Sequence, residues 1–338
     1  MSTIQDVADI AGVSIATVSR VINGNYPVSD DLKGRVQQAM VQLEYHPNAI
    51  ARGLRRQQTQ SIGVLIPQVN DSYLGMFCHI VEKTLFAHHY RALLCSTEES
   101  LEKETAYIES LLQQRVDGVI MFPRAHSRQN VERLLKQDIP VVMIERKLPD
   151  LPVHHVLVKN YEGGYIGMRH LIDMGHRNIA VIAAYFETYP ISERIQGALD
   201  AKRDAGIALN PEDFLTIKSE ERRFEIGYQL AVEILKRRTR PSAIFAMTDE
   251  LAIGVLHALA GNGIKVPEEI SVIGFDNIPL APFIYPALTT IDQPAAQMAE
   301  TAGAVLMRAL QDSAADVEYV MLPTKLVVRD STAAPSHS

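Results

Sequence analysis

Ser14-Ile15-Ala16-Thr17-Val18-Ser19-Arg20 begins two residues after a glycine, Gly12, and its side chains have the chemistry needed to read base edges. Small residues at the start of a helix let its backbone approach closely, as entry into a DNA major groove requires. Ile15 and Ala16 cannot hydrogen-bond and would pack on thymine methyls. Arg20, one turn further on, matches guanine O6 and N7 with two donors, a pairing that discriminates by about 1–3 kcal/mol. Thr17, Ser19 and Asn23, with Thr3, Ser14 and Tyr45 beside them, carry the polar groups that hold phosphates and fix register. The alternative is a three-helix module that only packs against another domain.

A second segment weighs against that alternative. Pro47-Asn48-Ala49-Ile50-Ala51-Arg52-Gly53-Leu54-Arg55 has the length of one or two helical turns, too short to be stable alone in water. A leucine beside arginines has little reason to enter a core. Leu54 fits a wedge between base steps in a minor groove, with Arg52 and Arg55 on the phosphates and Asn48 and Ala51 in the same minor-groove segment.

Charge supports one DNA-binding end. The chain of 338 residues carries a net charge of −7. Residues 1–60 hold six basic and five acidic side chains, so this end is +1 and the remainder −8. A small basic head on an acidic body holds a polyanion at one end only. Two cysteines, Cys78 and Cys95, stand without metal-ligand spacing and suit a reduced compartment as buried, inert thiols. No signal peptide and no membrane-length apolar run are read, so the expectation is a cytoplasmic protein associated with the nucleoid.

The elements that position these residues follow from periodicity and capping. Thr3 caps a first helix with Asp6 as its capping-box partner, and Gly12 supplies a left-handed turn. Ser14 caps the second helix, Ile15–Asn23. Ser29 caps a third, on which Leu32, Val36, Met40 and Leu43 fall at helical spacing. From Ser61 onward, strand-length apolar runs alternate with amphipathic helices. The strands are read at Ile62–Ile66, Ala92–Cys95, Gly118–Phe122, Val141–Ile144, Val156–Val158, Ile179–Ala183, Ala243–Ala246, Ser271–Phe275 and Leu288–Ile291. Repeated β-α units predict an α/β body of two doubly wound parallel-sheet lobes, with a ligand crevice at the carboxyl ends of the strands.

Enzyme and transport readings find less support. The chain lacks Gly-x-Gly-x-x-Gly after a strand, a P-loop, a Gly-x-Ser-x-Gly elbow and a Cys/His cluster. His88-His89 and His154-His155 are adjacent pairs that cannot face one metal from a regular element, so they are read as solvated. No metal or cofactor is expected, and a transport binding protein would need export.

The ordered motifs then resemble a family. Thr3-Ile4-Gln5-Asp6-Val7-Ala8, Gly12-Val13-Ser14, Thr17-Val18-Ser19-Arg20-Val21-Ile22-Asn23, Tyr45-His46-Pro47-Asn48 and Ala51-Arg52-Gly53-Leu54 closely resemble the lactose/galactose repressor (LacI/GalR) family. The resemblance continues through Glu162-Gly163-Gly164-Tyr165, Gly175-His176-Arg177, Gly274-Phe275-Asp276-Asn277 and Leu288-Thr289-Thr290-Ile291, to about Asp330. It implies a repressor with a helix-turn-helix headpiece at 1–46 and a hinge helix and linker at 47–60. It further implies a periplasmic-binding-protein-like body. The first lobe is expected at 61–160 plus about 291–321, the second at 161–290 plus about 322–330, and a disordered tail at 331–338.

The resemblance also implies a homodimer on a pseudo-palindromic operator with a central CpG step, where Leu54 intercalates. The end of the chain carries no leucine heptads, which favours a dimer over a tetramer. The family's cleft residues map onto Arg194, Asp249 and Asp276, with Asn70, Asp71 and Tyr73 from the first lobe. Carboxylates that accept and a guanidinium that donates suit a sugar or sugar-like effector. The alternative for Asp249 and Asp276 is that each only caps the segment after a strand. Lys159 and Thr248 depart from the family's pattern and leave an anionic ligand such as a sugar phosphate open.

Overall fold

A computed structural model describes the chain except for residues 1, 24–25, 46–58, 124–126, 149, 185–188, 218–221, 313–315 and 337–338. Residues 1–60 and 61–338 form two separate units.

In the first unit, Thr3 Oγ1 accepts from the Asp6 amide at 3.3 Å while the Thr3 amide donates to Asp6 Oδ2 at 2.7 Å, a complete capping box. This starts α1 (Ile4–Ala11), and Gly12 ends it at φ +63°, the left-handed conformation its position needs. Arg35 reinforces the turn by donating to the carbonyls of Ala11 and Gly12 at 2.6 and 3.2 Å. Ser14 Oγ accepts from the Thr17 amide at 3.2 Å and opens α2 (Ile15–Asn23). Ser29 stands at the start of α3 (Asp30–Gln42), but its hydroxyl makes no capping bond, contrary to the sequence reading. Val7, Ala8, Ala11, Val18, Val36 and Ala39 form the small core between the three helices.

The second unit contains two six-stranded sheets. The first takes β1 (Ser61–Ile66), β2 (Arg91–Ser96), β3 (Gly118–Met121), β4 (Val141–Ile144), β5 (His154–Val158) and β11 (Tyr319–Leu322), in the order β11-β5-β4-β3-β1-β2 and all parallel. The second takes β6 (Ile179–Ala183), β7 (Phe214–Thr216), β8 (Ala243–Ala246), β9 (Ser271–Asp276), β10 (Thr289–Asp292) and β12 (Lys325–Val327), in the order β12-β10-β9-β8-β6-β7. Only β12 of this sheet runs antiparallel to its neighbour. The chain crosses between the sheets after β5, after β10 and between β11 and β12. β7, β11 and β12 were not anticipated, because they are edge strands of three or four residues that are mostly not buried.

Helices cover both faces of each sheet, as buried parallel strands demand. On the first sheet, α4 (Ser72–Ala87) and α11 (Ala295–Gln311) share one core, while α5 (Leu101–Gln113) and α6 (Arg128–Leu135) close the other face. On the second, α7 (Asn160–Asp173) and α8 (Tyr189–Asp204) face one side, and α9 (Arg223–Leu235) with α10 (Asp249–Gly261) the other.

Two glycines bring α7 and α8 into backbone contact. A Cβ on Gly164 would lie 1.9 Å from the Arg194 carbonyl oxygen, and one on Gly197 would lie 2.0 Å from that of Tyr161. This close approach fixes the stretch of α8 that carries Arg194. Gly164→Ala is expected to force the helices apart, at about 1–3 kcal/mol for overpacking. Thermal unfolding of the variant checks this, and an unchanged Tm would refute the tight crossing.

Two sequence expectations are corrected here. Residues 331–336 are a bonded strap rather than a disordered tail. Ser331 is fully buried, its hydroxyl accepting from the Thr289 amide at 2.8 Å and donating to the Val272 carbonyl at 2.6 Å. Ala333 exchanges bonds with Ser271 Oγ at 3.0 and 3.1 Å. Short side chains such as serine and alanine looked like a solvated end, yet they are what an edge-on backbone clasp admits. His154 and His155 are buried on β5 rather than solvated, and burial draws both imidazoles below their ordinary pKa. Cys78 is half-buried and Cys95 buried, and burial pushes both thiols up to about 11, which leaves them unreactive near neutrality.

Candidate functional site

The headpiece presents Ile15 and Ala16 outward at the start of α2, Ile15 being 41% exposed. An exposed apolar pair at the start of a helix is what contact with thymine methyls would require. Arg20 is exposed on the same helix, with its guanidinium 5.4 Å from the centre of the Tyr26 ring. A stacked guanidinium keeps its edge donors free for a planar acceptor pair. Ser14 and Thr17 share a hydroxyl bond of 3.0 Å; Ser14 is exposed, while Thr17 and Ser19 are half-buried. The Thr3 hydroxyl is committed to Asp6 at 2.9 Å, and Tyr45 packs against the headpiece core. Asn48, Ala51, Arg52, Leu54 and Arg55 lie outside the described residues, as does the side chain of Asn23.

In the body, the polar residues gather where the carboxyl ends of the strands meet. Arg194, only 3% exposed, rises from α8 and donates to three acceptors at once. Its Nε reaches Asn160 Oδ1 at 2.9 Å, and one terminal nitrogen reaches the Met247 carbonyl at 2.6 Å and Asp276 Oδ1 at 3.1 Å. The guanidinium also lies over the Phe275 ring, 3.8 Å from its centre. Asp276 ends β9 in the left-handed region, at φ +114°, a strained backbone for a non-glycine residue. Gln293, immediately after β10, donates to Asp276 Oδ1 at 2.6 Å. Burial pushes the Asp276 carboxyl up to about 6, while Arg194 pulls in the opposite direction.

Asp249 lies behind this cluster. It is completely buried, and both carboxylate oxygens are committed within the protein. Oδ1 accepts from Thr290 Oγ1 at 2.5 Å and Oδ2 from the Ile278 amide at 2.9 Å. These two bonds pin the segment after β9, the structural role that the sequence reading held as the alternative for this residue. Gly274 leaves room for it, since a Cβ there would lie 2.2 Å from Asp249 Oδ1.

The first lobe contributes differently from each predicted residue. Asn70 is exposed on the loop after β1. Asp71 caps α4, accepting from the Tyr73 and Leu74 amides at 2.9 and 3.0 Å, and it pairs with Arg223 at the start of α9. Beside that pair, Glu250 Oε1 accepts from the amide and hydroxyl of Ser72 at 3.0 and 2.7 Å. These contacts tie the first lobe to the second across the cleft. Tyr73 is buried, and burial followed by the charge of Glu145 raises its phenol well above the ordinary range.

Glu145 and Gln293 escaped the sequence reading. A signal was available, because each is a polar residue directly after a largely buried strand, as Asp276 is at the end of its own. Lys159 spends its charge outside, in a half-exposed pair with Glu162 at 2.9 Å, and Thr248 caps α10 through the Leu251 amide at 3.3 Å. Neither supplies a positive charge for an anionic ligand.

Known proteins agree with this geometry. A model of bacterial regulatory proteins of the lacI family matches residues 3–48, and a periplasmic binding protein-like domain matches residues 168–332. The HTH-type transcriptional repressor PurR of Vibrio vulnificus is 36% identical over 332 residues, covering 98% of both chains. The chain belongs to the lacI family of bacterial regulatory proteins. The family's HTH-type transcriptional regulator DegA of Bacillus subtilis is also 36% identical, over 334 residues and 98% of each chain. Among solved structures, the lac repressor dimer bound to operator and the anti-inducer ONPF is 25% identical with a TM-score of 0.87, over 98% of this chain and 99% of that one. The transcriptional regulator CelR in complex with cellobiose is 27% identical with a TM-score of 0.73, over 98% and 100%. The chain is therefore a transcriptional regulator of this family, with a helix-turn-helix headpiece and a two-lobed periplasmic-binding-like body. The relatives are regulators rather than enzymes, and no described helix is long and apolar enough to cross a membrane.

Arg20→Ala tests the reading head. The variant is expected to lose about 1–3 kcal/mol of preference at one base pair per half-site, with little change elsewhere. Binding to a set of operators with single base-pair changes, at fixed salt, checks this. A uniform loss across all sequences would instead make Arg20 a phosphate contact.

Proposed function

We propose that this regulator is a homodimeric repressor whose affinity for a pseudo-palindromic operator is set by a small sugar-like effector held between the lobes. The observation that carries the reading is the cluster of Arg194, Asp276 and Gln293 at the strand ends. It offers a buried donor and buried acceptors where a sheet fold of this kind binds ligands. Asn70, Asp71 and Tyr73 would close the cleft from the first lobe, while Asp249 acts behind it. On DNA, Ile15, Ala16 and Arg20 read each half-site, Thr3, Ser14, Thr17, Ser19, Asn23 and Tyr45 face phosphates, and Leu54 enters the minor groove at a central CpG step. Phe86, Phe283 and Tyr285 are 72%, 83% and 98% exposed, and they give a second copy apolar surface to cover.

Carbohydrate binding is favoured by neighbours solved with cellobiose and with ribose. The PurR relatives favour a second reading, in which the effector is a purine. Fluorescence anisotropy on a central-CpG palindrome separates the two, with sugars and purine bases added in turn at constant salt. A sugar that shifts the operator midpoint supports the first reading and a purine the second. If no compound of either class moves it, the effector reading fails.

A further inference from the structure

One contact in the headpiece joins the reading helix to a residue outside it. Ala16 and Arg20 stand four positions apart on α2 and so share a face, and both are exposed, while Val18 on the other side is fully buried. An exposed arginine is free to pair with a carboxylate, as Arg35 of α3 does with Asp31 at 3.9 Å. Among the described residues Arg20 pairs with no carboxylate and no hydrogen-bond acceptor. What lies against it is the ring of Tyr26, whose centre is 5.4 Å from the guanidinium carbon.

Tyr26 is 66% exposed and stands outside the headpiece core, although an aromatic ring gains most from burial. Pro27 follows it directly and disfavours helical backbone at Tyr26, which narrows the directions in which the ring points. A tyrosine loses little rotamer freedom on ordering and an arginine much more, so the ring is the stiffer member of the pair. The face of a ring attracts a guanidinium while its N–H edge stays free. Such a stack holds Arg20 without using the donors that would bond a guanine edge.

Resting on the base-reading role of Arg20 above, we propose that Tyr26 is a positioning residue for operator recognition. Its ring orients the Arg20 guanidinium before DNA arrives, so less ordering remains to be done when the base edge is met. Tyr26 sets how sharply Arg20 discriminates, and it acts through Arg20 rather than through a bond of its own to DNA. The ring does this, so the hydroxyl is dispensable.

The experiment is an operator titration on the full-length protein at fixed salt. The wild type first selects its preferred duplex from a randomised palindromic pool, and each base pair of a half-site is then changed in turn. Arg20→Ala locates the base pair that Arg20 reads. There, Tyr26→Ala should lower the preference about two- to fivefold, the weight of an exposed cation–π contact, and Tyr26→Phe should keep it. The other base pairs and the salt dependence should not move, because no phosphate contact is lost. Added to Arg20→Ala, Tyr26→Ala should cause no further loss at that base pair. Both Tyr26 variants should unfold at the wild-type Tm. A uniform loss of affinity in Tyr26→Ala, an equal loss in Tyr26→Phe or additive effects in the double variant would make Tyr26 a DNA contact in its own right and overturn the proposal. An unchanged preference in Tyr26→Ala, or a lowered Tm, overturns it too. If the pool yields no preferred duplex, or Arg20→Ala relaxes no single base pair, the base-reading role itself fails, and the stack with it.

Discussion

Arg194→Leu is expected to lower the stability of the body by about 3–5 kcal/mol, because it leaves Asp276 buried without its counter-charge. The loss should depend on pH. Asp276 already titrates at about 6, above an ordinary aspartate, so its ionised form costs stability as pH rises. Without the guanidinium its pKa climbs further, and the neutral acid is tolerated. The variant should therefore be least impaired near pH 5 and most impaired near pH 8. Adding Asp276→Asn should restore much of the loss, since the unpaired charge is then gone. Denaturant unfolding of the wild type and the two variants at both pH values checks the sign. An equal loss at pH 5 and 8 would mean that Arg194 acts through packing on Phe275 rather than through charge.

Leu54→Ala should cost operator affinity about 3 kcal/mol, roughly a hundredfold, since a dimer would insert two wedges and unstacking a base step is worth a few kcal/mol. Effector binding should be unchanged, because Leu54 falls within residues 1–60 and not within the body. Operator anisotropy and effector titration on the same preparation separate these effects. Wild-type operator affinity in the variant would remove the wedge.

Much of the architecture was legible because local signals agreed with the tertiary outcome. The Thr3–Asp6 capping box, the left-handed Gly12 and the strands from Ile62 to Ile144 were all readable from residue type and spacing. The failures have physical causes. His154 and His155 begin a fully buried strand, and a reading keyed to apolar runs starts it two residues late. The strap at 331–336 is held by hydroxyl and backbone bonds, which leave no apolar period to detect.

Within the cleft, Arg194 and Asp276 were singled out because the family resemblance maps them there, and the structure brings the two side chains together. Asp249 was readable either as a ligand contact or as a buried post, because an acid after a strand serves equally as both, and its two internal bonds appear only in the folded structure. Gln293 and Glu145 were missed because no motif includes them. Their importance appears only when the donors and acceptors of the folded cleft are matched one by one.

The central claim is that cleft and operator are coupled, and coupling between two binding sites is reciprocal. The most direct measurement is a pair of titrations on the full-length protein. One follows operator affinity with and without each sugar or purine at saturation, and the other follows the affinity of that same compound with and without operator. The account predicts that at least one compound shifts operator affinity roughly 5- to 150-fold, the usual range for such coupling, and that operator shifts that compound's affinity by the same factor. A compound that binds the cleft tightly yet leaves operator affinity unchanged would contradict the account.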